Sequence, residues 1–318
     1  MTQTDTPRAG LLYAVAAYGL WGVLPVYFLL LRPSGAIEIV AFRILWSLVF
    51  CAILLAVTRS FGRFAALARD RTITGTLALA GAFIVVNWTT FIFATLTGHV
   101  VEAALGYFIN PLVTVLLGVF VLREKLKPLQ WVAVGVSVVA ILVIAIGYGS
   151  FPWISLVLAF SFGFYGLIKK RVGGRVDAVS GLTIETLAVA IPAGIALVVV
   201  GATSGLAFGS SGTGHVVAVV GTGVITAVPL LLFASAARRL PLSTLGLTQY
   251  IAPILQLVVG VVVLHEPMTT SRWVGFALIW VALVILSIHA VSSGRRERVS
   301  GARRLPVTTS RIANETPR

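Results

Sequence analysis

The chain alternates between long apolar segments and short polar connections over most of its length. Each apolar segment has about 20 residues, the length of helix that spans a bilayer. The segments are continuously apolar, which favours membrane helices over a porin-like barrel. The pattern predicts ten helices, at residues 11–31, 37–57, 73–95, 101–122, 128–146, 151–168, 179–200, 216–237, 244–264 and 272–290.

One motif occurs at the end of the fourth predicted helix and again at the end of the ninth. Its second copy lies 142 residues after the first with the same internal spacing. The matched residues are Pro111, Gly118, Glu124 and Trp131 in the first copy and Pro253, Gly260, Glu266 and Trp273 in the second. We therefore expect two five-helix repeats. Because five is odd, the second repeat must be inverted, an arrangement typical of alternating-access transporters.

The composition excludes an ordinary soluble domain. Charged residues make up 11% of the chain and hydrophobic residues 58%, whereas soluble domains carry about 25% charged residues. The net charge of +14 does not indicate nucleic-acid binding, because the basic residues lie in short loops and a tail. The lone cysteine, Cys51, excludes an intrachain disulfide. No metal-ligand spacing or phosphate-binding loop is present, so we expect no cofactor and no bound metal.

The distribution of Lys and Arg predicts the orientation of the chain. With the N-terminus inside the cell, nearly all basic residues are internal, Arg32 and Arg272 are external, and Arg43 lies within a helix. The positive-inside rule then places both termini in the cytoplasm. The expected organisation is a cytoplasmic N-terminus (1–10), a first repeat (11–146), a second, inverted repeat (151–290), and a disordered Arg-rich tail (291–318) near anionic membrane lipid.

Arg43 is predicted inside the second helix. A charge at a helix centre costs about 2.5–3.5 kcal/mol on insertion scales, so it requires a partner or a cavity. Glu38 lies five positions earlier on another face of the helix, so we expect the partner on a different helix. Arg43 either anchors an anionic substrate group, or forms a gate pair, or extends outward to the interface.

Glu185 is predicted near the cytoplasmic start of the seventh helix, in an otherwise apolar segment. It is a candidate proton-coupling or gate residue, with Lys169 as its candidate partner. The alternative is a purely structural ion pair with Lys169 or Lys170.

Two polar faces are related by the repeat. They carry Tyr107, Asn110, Pro111 and Thr114 on the fourth helix and Gln249, Pro253 and Gln256 on the ninth. Equivalent polar faces favour a cavity lining. The alternative is that each proline kinks its helix and the polar groups satisfy the freed carbonyl. Asn87 and Thr90 form a smaller polar face beside Trp88, which suits either a cavity or interhelical hydrogen bonds.

Several segments together resemble a known family. They are Glu38-x4-Arg43-Ile-Leu-Trp-Ser47, Asn87-Trp88, Leu105-Gly-Tyr-Phe-Ile-Asn-Pro111 followed by Glu124, Tyr165-Gly166 with Lys169, Pro229 to Phe233, and Leu245-Gly-Leu-Thr-Gln-Tyr-Ile-Ala-Pro253. They resemble the RarD branch of the EamA family, in the drug/metabolite transporter superfamily.

The resemblance implies an all-α integral membrane protein with two inverted five-helix repeats around a central cavity, in a bacterial cytoplasmic membrane. It also implies a secondary carrier and no enzymatic activity. The candidate substrate-binding or cavity residues that it supports are Arg43, Trp46, Asn87, Trp88, Tyr107, Asn110, Tyr165, Gln249 and Tyr250.

The sequence thus predicts a secondary transporter, more an exporter than an importer, that carries small drugs or metabolites by alternating access. Its expected partners are a small-molecule substrate, membrane lipid and a candidate coupling proton. The oligomeric state is left open. The alternatives are a non-transporting membrane scaffold or an intramembrane enzyme, for which Gly209-Ser210-Ser211-Gly212 with nearby His215 is a weak motif.

Overall fold

The structure is a computed structural model that describes residues 7–123, 128–148, 151–172, 175–237, 239–240, 244–245 and 248–285. The regular elements of these ranges are all helical. Glu124 of the repeated motif and the predicted tail at 291–318 lie outside the described residues, as do the first six residues of the predicted N-terminal segment.

The helices follow the apolar segments of the sequence. They are α1 (Pro7–Leu29), α2 (Ala36–Val57), α3 (Phe61–Arg69), α4 (Arg71–Leu96), α5 (Val100–Leu122), α6 (Pro128–Tyr148), α7 (Trp153–Val172), α8 (Ala178–Thr203), α9 (Thr213–Ala237), α10 (Ile251–Val258, continued by a π-helical turn at Val259–Val263) and α11 (Thr270–Ile285). Seven of them are long and apolar enough to cross a membrane, namely α1, α2, α4, α5, α6, α8 and α9. The protein is therefore an all-helical, multi-pass membrane protein.

Two helices differ from the prediction at the N-terminal half. α1 begins at Pro7 and not at residue 11, because proline suits the first turn of a helix, where its missing N–H is not needed. α3 was predicted as a loop because it is too short and too polar to span a bilayer. Its Phe64 and Leu67 pack against a buried cluster that includes Leu77.

The ninth predicted helix, 244–264, is less regular than expected. Among the described residues, positions 244, 245 and 248 are α-helical, a turn follows at Gln249 and Tyr250, and a second α-helical segment begins at Ile251, which puts Pro253 in its first turn. The π-helical turn follows, with the Glu266 N–H donating to the Gly260 carbonyl at 2.9 Å. Gly260 lies against α5, since a Cβ there would lie 2.8 Å from a Val101 methyl. The close packing against α5 and the π-helical turn therefore both involve Gly260.

The helix ends assemble into two opposite ends of the bundle. At the first, which we call the Arg32 end, Arg32 donates to the Leu96 carbonyl at 2.7 Å and Glu38 accepts from the Phe208 N–H at 2.9 Å. At the second, the Asp70 end, Arg175 pairs with Asp70 at 3.1 Å. α2 therefore begins at the Arg32 end, and α4 and α8 begin at the Asp70 end.

The core consists of two main clusters of buried side chains. The larger one joins α1, α2 and α4 to parts of α5, α7, α8 and α9. The other joins α5 and α6 to α10 and α11. Helices from the beginning and the end of the chain therefore interleave, and side chains far apart in sequence meet in the interior.

Candidate functional site

Arg43 and Glu185 occupy the same position in their helices. Each lies seven residues after the first residue of its helix, Ala36 in α2 and Ala178 in α8, and the two are 142 residues apart. Both are buried, with 3% and 2% of their surface exposed. The repeat thus places opposite charges at equivalent positions. This equivalence was not predicted, although the 142-residue offset applied to every charged residue would have revealed it.

A glycine lies beside each of these two helices, and the glycines are also equivalent. A Cβ on Gly81 of α4 would lie 2.9 Å from the Glu185 carbonyl oxygen. A Cβ on Gly223 of α9 would collide with the Trp46 carbonyl oxygen. Each glycine lets a neighbouring helix approach the backbone of the charge-bearing helix, which fixes where Arg43 and Glu185 project.

Arg43 is held by aromatic rings and one hydroxyl group. Its guanidinium carbon lies 4.1 Å from the centre of the Trp88 ring and 5.5 Å from that of Phe28. Its Nε donates to Thr226 Oγ1 at 2.8 Å. The polar partner thus comes from another helix, α9, whereas Glu38 is engaged at the Arg32 end. Among the described residues, no carboxylate lies within ion-pair distance of Arg43.

These contacts roughly offset the cost of burying the Arg43 charge without an anion. A desolvated cation–π contact contributes about 2 kcal/mol, whereas a charge within a helix costs about 2.5–3.5 kcal/mol on insertion scales. The Thr226 hydrogen bond adds about 1 kcal/mol. The protein therefore tolerates the cation here without neutralising it.

Glu185 has a complete set of partners. Lys169 Nζ lies 2.5 Å from its Oε1, and the Tyr165 hydroxyl donates to Oε2 at 3.3 Å. The Lys169 side chain is 31% exposed, so its ammonium group retains some access to the surroundings. The structural ion pair considered for Glu185 is present, and its partner is Lys169.

A continuous row of aromatic rings runs between these two charged groups. We call it the aromatic row, and its members are Phe28, Phe91, Tyr107, Phe162 and Tyr165. Successive ring centres are 6.1, 5.6, 6.0 and 5.9 Å apart. Phe28 contacts Arg43 at one end, and Tyr165 contacts Glu185 at the other. Of the five rings, the sequence had singled out only Tyr107 and Tyr165.

Asn87 joins three helices through its side chain. Its amide nitrogen donates to the Leu158 carbonyl and to Ser161 Oγ, both at 3.1 Å, and its oxygen accepts from the Tyr107 hydroxyl at 2.9 Å. Thr90 donates to the Val86 carbonyl of its own helix. The small polar face of α4 is therefore engaged in helix contacts.

The polar face of α5 divides into two parts. The Asn110 amide donates to the Ala159 carbonyl of α7 at 3.0 Å, and Thr114, which is exposed, donates back to the Asn110 carbonyl at 3.0 Å. Gly106 on the same helix lies close enough to α7 that a Cβ would meet the Ser155 carbonyl. Asn110 thus contributes to tight helix packing, whereas Tyr107 faces the aromatic row.

The remaining candidates lie elsewhere in the bundle. Tyr250 stacks on Phe108 with ring centres 6.5 Å apart, and Gln249 is half-buried beside it in the chain. Gln256 donates to the Trp21 carbonyl at 3.2 Å, and its buried Oε1 has no hydrogen-bond partner. Trp46 is half-buried against the larger core cluster. The structure therefore groups Arg43, Trp88, Asn87, Tyr107, Tyr165, Glu185 and Lys169 along the aromatic row, apart from Tyr250 and Gln256.

The weak protease motif does not form a nucleophile–base pair. Among the described residues, Ser211, the serine of the G-x-S-G string, forms no hydrogen bond with His215. His215 uses Nε2 to contact the Leu31 carbonyl at 3.0 Å and Ser34 Oγ at 3.2 Å. Within the described ranges, no group of three or more His, Cys, Asp or Glu side chains is arranged to hold a metal ion.

Comparisons with known proteins give a consistent picture. The chain matches the EamA-like transporter family twice, over residues 8–146 and 152–288. It is 47% identical over 315 residues to the protein RarD of Streptomyces exfoliatus, covering 99% of each chain. It is 42% identical over 296 residues to an uncharacterized transporter of Pseudomonas aeruginosa, covering 92% of this chain and 98% of the other. A solved crystal structure with 18% sequence identity matches 88% of this chain and 98% of its own, with a TM-score of 0.59.

Proposed function

This chain belongs to the EamA-like transporter family, and we propose that it is a secondary transporter that moves small drugs or metabolites by alternating access. As a family member it is a transporter and not an enzyme, and its relatives are bacterial. We place it in the bacterial cytoplasmic membrane and expect export more than import.

The proposed architecture has ten spans in two inverted five-helix repeats, at residues 11–146 and 151–290, around a central cavity. Two family matches along one chain support a repeat. So does the backbone, because Arg123 and His265, which are 142 residues apart, both adopt left-handed conformations after a helix, with φ of 56° and 52°. Inversion is supported by α2 and its equivalent α8, which begin at opposite ends of the bundle.

The proposed orientation puts the Asp70 end and both termini in the cytoplasm. The segments at that end are rich in basic residues, including Arg59, Arg63 and Arg175, whereas Arg32 lies at the opposite end. The positive-inside rule associates the basic end with the cytoplasm.

The substrate is proposed to bind in the seam between the repeats, along the aromatic row. The single observation that carries this proposal is the placement of Arg43 and Glu185, two equivalent buried charges, at the two ends of that row. Arg43 also bonds across the seam to Thr226. Rocking one repeat against the other would make and break such contacts, as alternating access requires.

Two sets of residues complete the proposed machinery. Glu185 and Lys169 are the candidate coupling or gate pair, and a proton is the candidate coupling ion. The remaining candidate cavity residues are Trp46, Trp88, Asn110, Thr114, Gln249, Tyr250 and Gln256. The buried oxygen of Gln256, which has no hydrogen-bond partner among the described residues, is an acceptor that a polar ligand or water would satisfy.

The second candidate function is a non-transporting scaffold, which the helix contacts of Asn87 and Asn110 favour. The accessibility of the candidate cavity residues to water distinguishes a transporter from a scaffold. Cysteines introduced at Tyr107 and Gln249, after Cys51→Ser, should react with a water-soluble thiol reagent if they line a cavity. Uniform lack of reaction from both sides would support the scaffold.

Transport itself is tested by comparing metabolites in cells that lack or overproduce the protein and reconstituting the compound that changes. We expect uptake into proteoliposomes that responds to an imposed substrate or pH gradient. Uptake that ignores both gradients would contradict a secondary carrier.

A further inference from the structure

Among the described residues, the buried glutamates have backbone or ammonium partners, whereas the buried Arg43 guanidinium has no anionic partner. Each buried glutamate of the described ranges has a donor or a cation. The partners are the Phe208 N–H for Glu38, the Lys169 ammonium for Glu185, and the Val100 and Val101 N–H groups for Glu266. Arg43 is as buried as these carboxylates, yet it contacts only aromatic rings and one hydroxyl.

In the described residues, no protein group accepts a hydrogen bond from the terminal nitrogens of the Arg43 guanidinium. A guanidinium has five N–H donors, and Thr226 accepts the one on Nε. Across the described residues, the terminal Nη1 and Nη2 atoms form no hydrogen bond, and neither is a fully enclosed atom without a partner. Both atoms therefore have donor capacity to spare, although Arg43 as a whole is only 3% exposed.

We propose that Arg43 binds the carboxylate of the transported molecule, so that the substrate supplies the anion that the protein omits. This inference rests on the proposed transport function and names its substrate class. Two parallel N–H groups of a guanidinium match the two oxygens of a carboxylate. Trp88 contacts the guanidinium face, and this contact uses none of the N–H donors that such a bidentate contact needs.

The rest of the substrate has an apolar or aromatic body. Phe28, which flanks Arg43, leads directly to Phe91 and Tyr107 of the aromatic row. Phe28 and Phe91 are buried in this structure, so the apolar part of a small organic acid bound to Arg43 would contact these rings when the repeats move apart. At the equivalent position of the second repeat, Lys169 already closes the Glu185 carboxylate. The structure therefore offers an anion site in the first repeat and no matching free charge in the second.

Matched pairs of probes test this site. Full-length protein in lipid nanodiscs is titrated with phenylacetate, indole-3-acetate and hexanoate, with the neutral amide of each, and with sodium chloride. The readout is the thermal unfolding midpoint. At least one carboxylate should raise the midpoint in a saturable manner, and its amide and chloride should not. Arg43→Gln should weaken that binding by at least about tenfold, the loss expected for a hydrogen bond to a charged group.

The control variant is Arg63→Gln, which removes an exposed guanidinium on α3 and should bind as the wild type does. If Arg43→Gln does not fold, Arg43→Lys keeps the charge but loses the forked geometry, and it too should bind more weakly. Equal effects of acids and amides, or unchanged binding by the Arg43 variants, would overturn the proposal. An equal effect of chloride would also overturn it, by indicating a site for small inorganic anions.

Two further results separate this inference from the proposed function. If the protein bound carboxylates but transported nothing in proteoliposomes, the proposed anion site would be supported and the proposed transport function would be contradicted. If the protein transported a compound without a carboxylate, and Arg43→Gln left that transport unchanged, the transport function would be supported and the proposed anion site would be contradicted.

Discussion

Arg43 and Glu185 stand at equivalent positions of two related halves, yet their surroundings differ in kind. Glu185 is closed by Lys169 and Tyr165, which both come from α7, the helix before its own. Arg43 contacts Phe28, Trp88 and Thr226 from three different helices, and no carboxylate of the described ranges pairs with it. The first arrangement is an ion pair complete within the protein. The second is a buried positive charge without an anionic partner among the described residues.

The difference shows how duplicated halves can take on different roles. The glycines Gly81 and Gly223 preserve the same close helix approach in both halves, so the frame that projects the charge is retained. The sign of the charge and its neighbours differ between the halves. We infer that the first half supplies the ligand contact and the second supplies a closed pair that can open as a gate.

The largest expected effect comes from breaking the closed pair. Lys169→Met should lower the free energy of unfolding by about 3 kcal/mol, because it leaves the Glu185 carboxylate buried without a cation. The measurement is reversible unfolding in detergent micelles. Combining Lys169→Met with Glu185→Gln should restore most of the loss, because no buried charge then remains. Equal losses for the single and double variants would contradict the pairing.

The next effect concerns the close helix approaches. Gly223→Ala should lower the free energy of unfolding by about 1–3 kcal/mol, because its Cβ collides with the Trp46 backbone. Gly81→Ala should cost less, since its Cβ would lie 2.9 Å from the Glu185 carbonyl oxygen and a smaller shift relieves it. Gly194→Ala, which meets no atom within 4 Å, is the matched control. If Gly194→Ala lowered the free energy of unfolding as much as Gly223→Ala, the loss at Gly223 would not be due to its contact with Trp46.

The smallest expected effect on stability is at the open charge. Arg43→Gln should change the free energy of unfolding by less than about 1 kcal/mol, because the lost cation–π contact and the relieved burial of charge are similar in size. The same unfolding assay compares it directly with Lys169→Met. A loss as large as that of Lys169→Met would mean that Arg43 has a neutralising partner within the protein.

The sequence was informative where hydrophobicity alone decides the structure. Apolar segments predicted most helices to within a few residues, as for α2 and α5. It was less informative for α3, whose short amphipathic pattern is too polar for a span. It also failed to predict the π-helical turn of α10, which coincides with a tertiary contact between Gly260 and α5.

The sequence predicted only part of the candidate site, because some of its contacts depend on how the helices pack. Arg43 and Glu185 stand out as charges in apolar segments, so they were found. Thr226 is 183 residues from Arg43 and has an unremarkable local sequence, so its role depends on helix packing. The acceptors of Asn87 and Asn110 include backbone carbonyls, which every residue possesses and no sequence pattern distinguishes.

The central claim is that equivalent helices of the two halves cross the membrane in opposite directions. Single cysteines at Gly35 and Ala178, which precede or begin α2 and α8 and are both exposed, test it after Cys51→Ser. The measurement is labelling of intact cells with a membrane-impermeant thiol reagent. We expect the cysteine at 35 to be labelled and the cysteine at 178 to be labelled only after the cells are permeabilised. Labelling of both from the same side would contradict the account.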